Sequence, residues 1–375
     1  MIVGIDARMY GLRHAGIGRY VKHLVEDIPP LSPTDTFILF VRQVDVGRVR
    51  RADNVEVVVA DFRHYTLGEQ VGLIQTLHRH KLDLVHFPHF NVPLFFREPF
   101  IVTIHDLLWH RVKGLAVTTL SPTTYLLKYL GYRLVARNAI KRSRTIIVPS
   151  NFVKHEIKDL EKITEDKITT IYEGVDSYGI SSKDKAKQIL AKYQISEPYL
   201  LYVGNVYPHK NLDRLLVAFS ILRKKNFPQF TLVIVSSRNV FLGRLTKAIG
   251  RQKLLSAVKL TGFVSDEDLS KIYQQATLVV QPSLSEGFGL TGLEAMALGT
   301  PVAAAKSGSL PEIYGEAAVY FDPFNVEEMV EVIGEVVSNF DFRKKLIRLG
   351  WQRVVDYSWQ TMAKETLKVY KQAVR

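Results

Sequence analysis

Two glutamates eight positions apart are the side chains of this sequence best placed to do chemistry. Glu286 lies in a loop with Gly287 and Gly289, and Glu294 lies one turn into a helix predicted near Leu290–Leu298. The start of a helix behind a glycine-rich loop attracts anions, because its first backbone N–H groups are unpaired and its dipole is positive there. A phosphate held between two carboxylates that accept hydroxyl hydrogen bonds describes a nucleotide sugar. The spacing leaves an alternative open, in which the two acids only stabilise the positive helix end.

Lys210 is a candidate partner for the same phosphate groups. It follows a predicted buried strand at Tyr199–Val203 and stands directly before a helix predicted over Asn211–Leu222. A cation at the carboxyl end of a strand, beside a helix N-terminus, suits a diphosphate. A lysine at a helix start otherwise opposes the helix dipole. A phosphate-binding role is therefore favoured over a solvated side chain.

The first half of the sequence opens in a similar way, with a strand, a glycine-containing loop and a helix. The strand is predicted at Ile2–Ile5, and Gly16 and Gly18 precede a helix that ends near Ile28. These glycines allow a ligand to approach the backbone closely. The G-x-G-x-x-G fingerprint of dinucleotide sites is missing, so a phosphate or acceptor contact and a plain tight turn both remain open.

His105 is the candidate histidine, because it directly follows a predicted strand at Phe100–Ile104. Ligands of parallel sheets bind at the carboxyl ends of the strands. A histidine there could contact a sugar or assist a proton transfer. His86 and His89 follow the preceding strand, and for them a structural role is expected.

Strands and helices that position these residues alternate along the whole chain. The alternation predicts an α/β fold with two doubly wound parallel sheets, and 375 residues suffice for about two domains. A polar segment near Asp176–Lys185 is the predicted linker. Further strands are predicted at Phe37–Val41, Val55–Val59, Leu84–Phe87, Thr145–Val148, Ile168–Ile171, Phe230–Val235, Val258–Leu260, Thr277–Gln281, Val302–Ala305 and Ala318–Phe321.

Composition narrows the class of protein. The chain has no cysteine, which excludes disulfides and cysteine-based metal sites. No apolar run reaches the roughly 20 residues needed to cross a bilayer, and the N-terminus lacks a signal-peptide pattern, so a cytoplasmic protein is expected. The net charge of +13 predicts anionic partners. Because no nucleic-acid-binding signature is present, an anionic substrate or an anionic membrane surface is favoured over a specific nucleic acid.

The segment Leu120–Arg144 predicts a helix with a basic stripe. Arg133, Arg137 and Lys141 recur at four-residue spacing, and tyrosines and leucines occupy the other faces. Two interpretations remain open. The helix could dock on anionic lipid, with the protein on the inner face of the membrane. The favoured alternative is a core-packed helix with a solvated basic face.

Asp266 and Asp268 form a D-x-D sequence, which can hold a divalent cation. Both acids stand at the start of a predicted helix, directly after Ser265. Acids are enriched in the first helical turn because they stabilise its positive end. Helix capping is therefore the favoured role, and no metal site is predicted.

Five strings of the sequence, which occur in the same order in the family, resemble the large family of retaining GT-B glycosyltransferases called family 4. The most specific is the E-x7-E pattern from Glu286 to Glu294 in SEGFGLTGLEAMALGTPV. The others are GNVYPHKN, LTGFVSDEDL, TIHD and VPSNF, and the resemblance spans nearly the whole chain. It implies two Rossmann-like domains facing each other across a cleft, over residues 1–180 and 181–356. It also implies that the last helix, within 357–375, crosses back onto the first domain.

The resemblance implies a role for each matching residue. Glu294 would hold the ribose hydroxyls, Glu286 would contact hydroxyls of the donor sugar, and Lys210 would neutralise the leaving diphosphate. His105 would lie over the sugar, and Gly16 and Gly18 would approach the phosphate or the acceptor. Backbone near Phe288, Gly289, Leu290 and Thr291 would hold sugar and phosphate, and Phe263 and Val264 would line the base pocket.

One position departs from the family pattern. Many relatives have an arginine soon after the strand that ends at Gly204, and this sequence has Asn205 there. Lys210 therefore acts with neutral donors or with another cation, for which His209 is a candidate.

The expected activity is transfer of a hexosyl group, with mannosyl from GDP-mannose as the first candidate, to a hydroxyl of a glycan or lipid-linked acceptor. The resemblance implies retention of configuration, and neither a cofactor nor a metal is required. Two alternatives stay open: a sugar-nucleotide epimerase on the same fold, and a non-catalytic protein that binds a polyanion or glycan.

Overall fold

The computed structural model describes residues 1–11, 15–108, 114, 118, 121–176, 183–236 and 241–374. They divide into two compact units. One comprises Met1–Trp109, Leu120–Gly174 and Ser358–Arg375, and the other is built on Val175–Tyr357. The predicted boundary at residue 180 and most of the predicted linker lie outside the described residues.

The first unit contains a seven-stranded sheet in which every neighbouring pair is parallel. Its strand order is β3-β2-β1-β4-β5-β6-β7, so the order in which strands are added reverses between β1 and β4. The strands are β1 (Ile2–Asp6), β2 (Thr36–Val41), β3 (Val55–Val59), β4 (Leu84–Phe87), β5 (Phe100–Thr103), β6 (Ile146–Val148) and β7 (Ile168–Thr170).

Helices of the first unit cover this sheet. They are α1 (Ala15–Asp27), α2 (Leu67–His78), α3 (Pro122–Arg142), α4 (Asn151–Glu161) and, from the end of the chain, α13 (Trp359–Val374). Ser150 is the N-cap of α4, and its hydroxyl accepts a hydrogen bond from the backbone N–H of Val153. This cap satisfies one of the amides that a helix start leaves unpaired.

The second unit repeats the arrangement with six parallel strands in the order β10-β9-β8-β11-β12-β13. Counted from its own first strand, this is the 3-2-1-4-5-6 order of the Rossmann fold. The strands are β8 (Tyr199–Val203), β9 (Thr231–Val235), β10 (Val258–Gly262), β11 (Leu278–Gln281), β12 (Val302–Ala305) and β13 (Ala318–Phe321). Every predicted strand is present, which confirms the α/β class.

The helices of the second unit pack on a core of buried strand residues such as Leu201, Val233 and Val279. Such parallel strands are apolar on both faces because helices cover both sides. The helices are α5 (Lys183–Lys192), α6 (Leu212–Lys225), α7 (Leu242–Arg251), α8 (Asp266–Gln275), α9 (Leu290–Ala297), α10 (Leu310–Tyr314), α11 (Val326–Ser338) and α12 (Phe340–Val354).

Helix α13 belongs to the first unit, although the second unit precedes it in the chain. The Trp359 ring stacks on the His23 ring of α1, with ring centroids 4.2 Å apart. A Cβ at Gly174 would lie 2.2 Å from the backbone nitrogen of Trp359, so the close approach of the helix start requires glycine there. The predicted return of the last helix to the first domain is confirmed.

The D-x-D sequence is a helix start. Ser265 is the N-cap of α8 and accepts a hydrogen bond from the N–H of Asp268. The Asp268 carboxylate accepts hydrogen bonds from Lys192 and Tyr193, which lowers its pKa. None of the described helices combines the length and the apolar character that crossing a membrane would require.

Candidate active site

The candidate site of the second unit lies where the strand order reverses, between the neighbouring strands β8 and β11. Ligands of doubly wound sheets bind at the carboxyl ends of strands at this point. The turn after β8 carries Lys210, and the loop after β11 carries Glu286. The sheet topology therefore brings Lys210 and Glu286 together.

Three hydrogen bonds fix the turn that follows β8, two of them to the loop after β11 and one to the segment after β13. The side-chain amide of Asn211 donates to the backbone oxygens of Pro282, at 3.0 Å, and Pro323, at 2.8 Å. The N–H of Leu284 donates to the backbone oxygen of His209 at 2.8 Å. These bonds hold the backbone on either side of Lys210 and Glu286 in a fixed relation.

Lys210 and Glu286 form an ion pair, with 2.7 Å between Nζ and Oε1. Their side chains are only 16% and 14% exposed, and Gln281 also donates its amide to Glu286 Oε1 at 3.3 Å. Burial raises the pKa of Glu286, but the charge and hydrogen bond of Lys210 oppose this, and the net pKa lies below its ordinary value of 4.5. Glu286 is therefore an anion at neutral pH, ready to accept hydroxyl hydrogen bonds.

His209 is buried beside this pair and does not supply a second cation. Burial and the adjacent charge of Lys210 lower the pKa of His209 to about 4. The ring is therefore neutral at neutral pH. The hypothesis that His209 assists Lys210 as a positive charge is wrong for this structure.

The loop from Glu286 into α9 is fixed through its carbonyl groups. Ser309 donates its hydroxyl to the backbone oxygens of Glu286 and Phe288, at 3.1 and 3.0 Å. The Tyr314 hydroxyl lies 2.5 Å from the backbone oxygen of Gly289 and 2.5 Å from Gln281 Oε1. The side chains of Ser309 and Tyr314, which lie between β12 and β13, thus fix the position of this loop.

Helix α9 begins at a glycine in the left-handed region. Gly289 is its N-cap, with φ of 101° and no side chain to cap the helix. Leu290 and Thr291 form the first turn and are partly exposed. An anion at this end would meet the backbone amides and the positive end of the dipole, as the sequence predicts.

Glu294 is buried in the second turn of α9. Its Oε2 accepts a hydrogen bond from the Tyr273 hydroxyl at 3.0 Å. Phe288, whose backbone is a predicted contact, buries its ring against Tyr357 with centroids 5.7 Å apart. Glu286 in the loop therefore pairs with a lysine, whereas Glu294 in the following helix accepts a hydrogen bond from a tyrosine hydroxyl.

Of the remaining predicted residues of the second unit, Asn205 follows β8, and Phe263 and Val264 follow β10. Asn205 accepts the Tyr202 hydroxyl with its backbone oxygen at 2.6 Å. Phe263 is 63% exposed, whereas Val264 is buried in the core. Only Phe263 of these two presents a large apolar surface to solvent.

In the first unit, His105 is held by two acceptors. Its Nδ1 lies 2.9 Å from Glu173 Oε1, and its Nε2 lies 3.1 Å from the backbone oxygen of Pro88. Both ring nitrogens of His105 therefore have an oxygen partner within the first unit. Gly16 and Gly18 lie in the first turn of α1, with Gly16 exposed and Gly18 buried.

Sequence reasoning missed Gln281 and Tyr314. Gln281 carries a signal, because it is a buried polar residue that ends an otherwise apolar strand, next to the loop. Tyr314 carries none, because it is 25 positions from the Gly289 oxygen that it contacts.

Comparisons with known proteins identify the family of this chain. The family model described as Glycosyl transferases group 1 matches residues 183–353, and that described as Glycosyltransferase Family 4 matches residues 16–177. The O-antigen chain mannosyltransferase B of Escherichia coli is 27% identical over 373 residues, which is 95% of this chain and 96% of that protein.

Solved structures share the fold at low identity. Sucrose-phosphate synthase from Thermosynechococcus elongatus superposes with a TM-score of 0.77 at 18% identity, over 99% of this chain and 98% of that one. The Anabaena protein HepE, solved with UDP and glucose, gives 0.75 at 19% identity over 99% of both chains. Since the two family models match successive halves and the fold is that of these structures, this chain belongs to the group 1 glycosyltransferases, hexosyltransferases with the GT-B fold.

Proposed function

We propose that this chain transfers a mannosyl group from GDP-mannose to a hydroxyl of a glycan or lipid-linked acceptor, with retention of configuration and without a metal. The observation that carries the proposal is the buried ion pair of Lys210 and Glu286 at the point where the strand order reverses. The choice of mannosyl is supported by the name of the Escherichia coli relative, an O-antigen chain mannosyltransferase.

The ion pair exchanges partners when the donor binds. Lys210 turns to the diphosphate, and the Glu286 carboxylate is released to accept hydrogen bonds from hydroxyls of the sugar. Both groups are mostly buried, so each needs a charged or hydrogen-bonding partner in either state. The donor supplies those partners, which favours binding of the complete nucleotide sugar over binding of the nucleoside alone.

The reaction breaks the bond between the anomeric carbon and the diphosphate oxygen, and forms a bond from that carbon to the acceptor oxygen. The acceptor's proton passes to the departing phosphate oxygen. Negative charge grows on the nucleoside diphosphate, where Lys210 and the start of α9 stabilise it. The contacts assigned by resemblance to Phe263, Val264, Gly16, Gly18 and His105 remain predictions, as does a neutral contact of Asn205 with the donor.

A panel of GDP, UDP, ADP and dTDP sugars tests the donor. GDP-mannose should raise the melting temperature most, and should release GDP slowly when water replaces the acceptor. Proton NMR of the freshly released sugar should show the α anomer, since that is the configuration in the donor. Addition of EDTA should leave the rate unchanged.

Other outcomes would redirect the proposal. Conversion of the nucleotide sugar without release of GDP would indicate an epimerase. Binding without any turnover would indicate a non-catalytic binding protein. Stabilisation by UDP sugars alone would keep the transferase and replace the donor.

A further inference from the structure

Helix α3 exposes four leucines, which together are called the leucine face. They are Leu126, Leu127, Leu130 and Leu134, with exposed fractions of 55%, 72%, 53% and 59%. Single exposed leucines are normal on protein surfaces, whereas a contiguous apolar patch marks an interaction site. The expectation of a core-packed helix with only a solvated basic face is therefore incomplete.

The same helix also has a buried face, so the leucine face is not a displaced core. Tyr132, Ala136, Ala139 and Ile140 are buried in the first unit. Leu127 and Ala136 are nine residues apart, as are Leu130 and Ala139. Nine residues are about two and a half turns, so the leucines point away from the side that packs on the unit.

Positive charge accompanies the leucines, and the helix contains no acidic residue. The exposed basic residues are Lys128, Arg133, Arg137 and Lys141. Arg137 pairs with Glu161 at 3.3 Å but remains 60% exposed. Counting from Leu126 to Lys141, the apolar and basic residues extend over about 22 Å of helix.

We propose that the leucine face of α3 docks on an anionic lipid surface. Leucines can enter the boundary between headgroups and acyl chains, while lysine and arginine side chains contact the headgroup phosphates. The absence of any acid on α3 makes its charge complementary to that surface. Two copies of this basic helix in a chain of net charge +13 would instead repel each other.

The proposal goes beyond the proposed function and does not depend on the donor. It places the first unit at a membrane surface, where a lipid-linked acceptor would be concentrated. Vesicle binding without any nucleotide tests it separately from transferase activity.

The experiment is co-sedimentation of the full chain with vesicles of phosphatidylcholine alone or mixed with phosphatidylglycerol. The wild type should bind the anionic vesicles at least about tenfold more tightly, and the difference should shrink with added salt. The double variant Leu127→Gln, Leu130→Gln should lose about tenfold in affinity. A matched control is Leu67→Gln with Leu255→Gln, which removes two other exposed leucines, 86% and 71% exposed, and should bind like the wild type.

A second pair of variants tests the charges at constant net charge. Arg133→Glu with Lys141→Glu should abolish the preference for anionic vesicles, whereas Lys187→Glu with Lys345→Glu, both at exposed positions, should preserve it. Equal binding of the wild type and both α3 variants would overturn the proposal. So would a dimer in analytical ultracentrifugation that Leu127→Gln and Leu130→Gln convert to a monomer, because a second copy would then cover the face.

Discussion

Lys210 is the main group that keeps Glu286 ionised. Its buried site favours the neutral carboxyl, and the charge and hydrogen bond of Lys210, 2.7 Å away, reverse that preference. Lysine thus has two effects in the proposed reaction. It neutralises the diphosphate, and it fixes the charge of the carboxylate that contacts the sugar.

Lys210→Ala should therefore change the pH dependence of activity as well as its size. Loss of the cation should reduce kcat by about 100-fold or more. Burial of Glu286 then goes unopposed by Lys210 and raises its pKa relative to the wild type, so the residual activity should rise with pH as the carboxylate ionises. In the wild type the lowered pKa keeps Glu286 ionised above about pH 4.5, and no such rise is expected from this group. The measurement is the ratio of variant to wild-type rate between pH 5 and 8.

Lys210→Arg is the matched control, since it keeps the charge beside Glu286. Its rate relative to the wild type should be independent of pH over the same range. A constant ratio for Lys210→Ala as well would show that Lys210 does not govern the charge of Glu286.

The candidate site residues that could be predicted from the sequence are those that lie near the end of a strand or the start of a helix. Lys210 precedes a helix, and Glu286 and Glu294 bracket a glycine-rich helix start, so each carries a local signal. The sequence did not indicate that Lys210 and Glu286 pair directly, because 76 residues separate them. Nor did it show that His209 is neutral, since that depends on burial.

At the scale of elements, every predicted strand appeared within two residues of its expected bounds. Apolar, β-branched runs between turns specify buried parallel strands strongly. The first residue of a helix is harder to predict from the sequence, because it depends on which residue is the N-cap. Helix α6 is predicted from Asn211 and begins at Leu212, because Asn211 is its N-cap.

The supports of the Glu286 loop come from elements later in the chain, and the sequence could not reveal them. Ser309 and Tyr314 reach the loop from the segment between β12 and β13. Gly308 belongs to the same support. Its φ is +63°, and a Cβ there would lie 2.6 Å from the backbone oxygen and 2.7 Å from the backbone nitrogen of Glu286.

Gly308→Ala should reduce activity by displacing Glu286. The left-handed conformation costs an alanine about 1 to 2 kcal/mol, and the contact is with backbone, which cannot rotate away. A shift of about 1 Å in a substrate-positioning group can cost roughly 100-fold in rate. The measurements are kcat, KM for the donor and the melting temperature.

Gly243→Ala in α7 is the control within the same unit. No atom lies within 4 Å of a Cβ built there, and alanine stabilises a helix interior by roughly 0.5 to 1 kcal/mol relative to glycine. Activity should be unchanged and stability slightly higher. Full activity of Gly308→Ala would show that the Glu286 loop tolerates displacement.

At the scale of the whole molecule, each unit contains a histidine that folding keeps neutral. In the first unit, His86 lies between Tyr370 of α13 and Thr103, 2.7 and 2.8 Å from its ring nitrogens. Burial lowers its pKa to about 3. In the second unit, burial and the charge of Lys210 lower the pKa of His209 to about 4. The sequence predicted a structural role for His86, but not its bond to the returning helix.

Both units should therefore lose stability as the pH falls below about 6.5, the ordinary pKa of histidine. Between that value and the lowered pKa, the unfolded chain binds a proton that the folded unit does not, so the free energy of unfolding falls by up to about 1.4 kcal/mol per pH unit for each histidine. Hydrogen exchange of β4 and β8 at pH 7.5 and 5.0, corrected for the intrinsic exchange rate, measures the two units separately. His86→Gln should remove this pH dependence from β4 and leave it in β8, and His209→Gln should do the reverse. If neither variant changes the pH dependence of its own unit, these buried histidines do not control the acid stability of the protein.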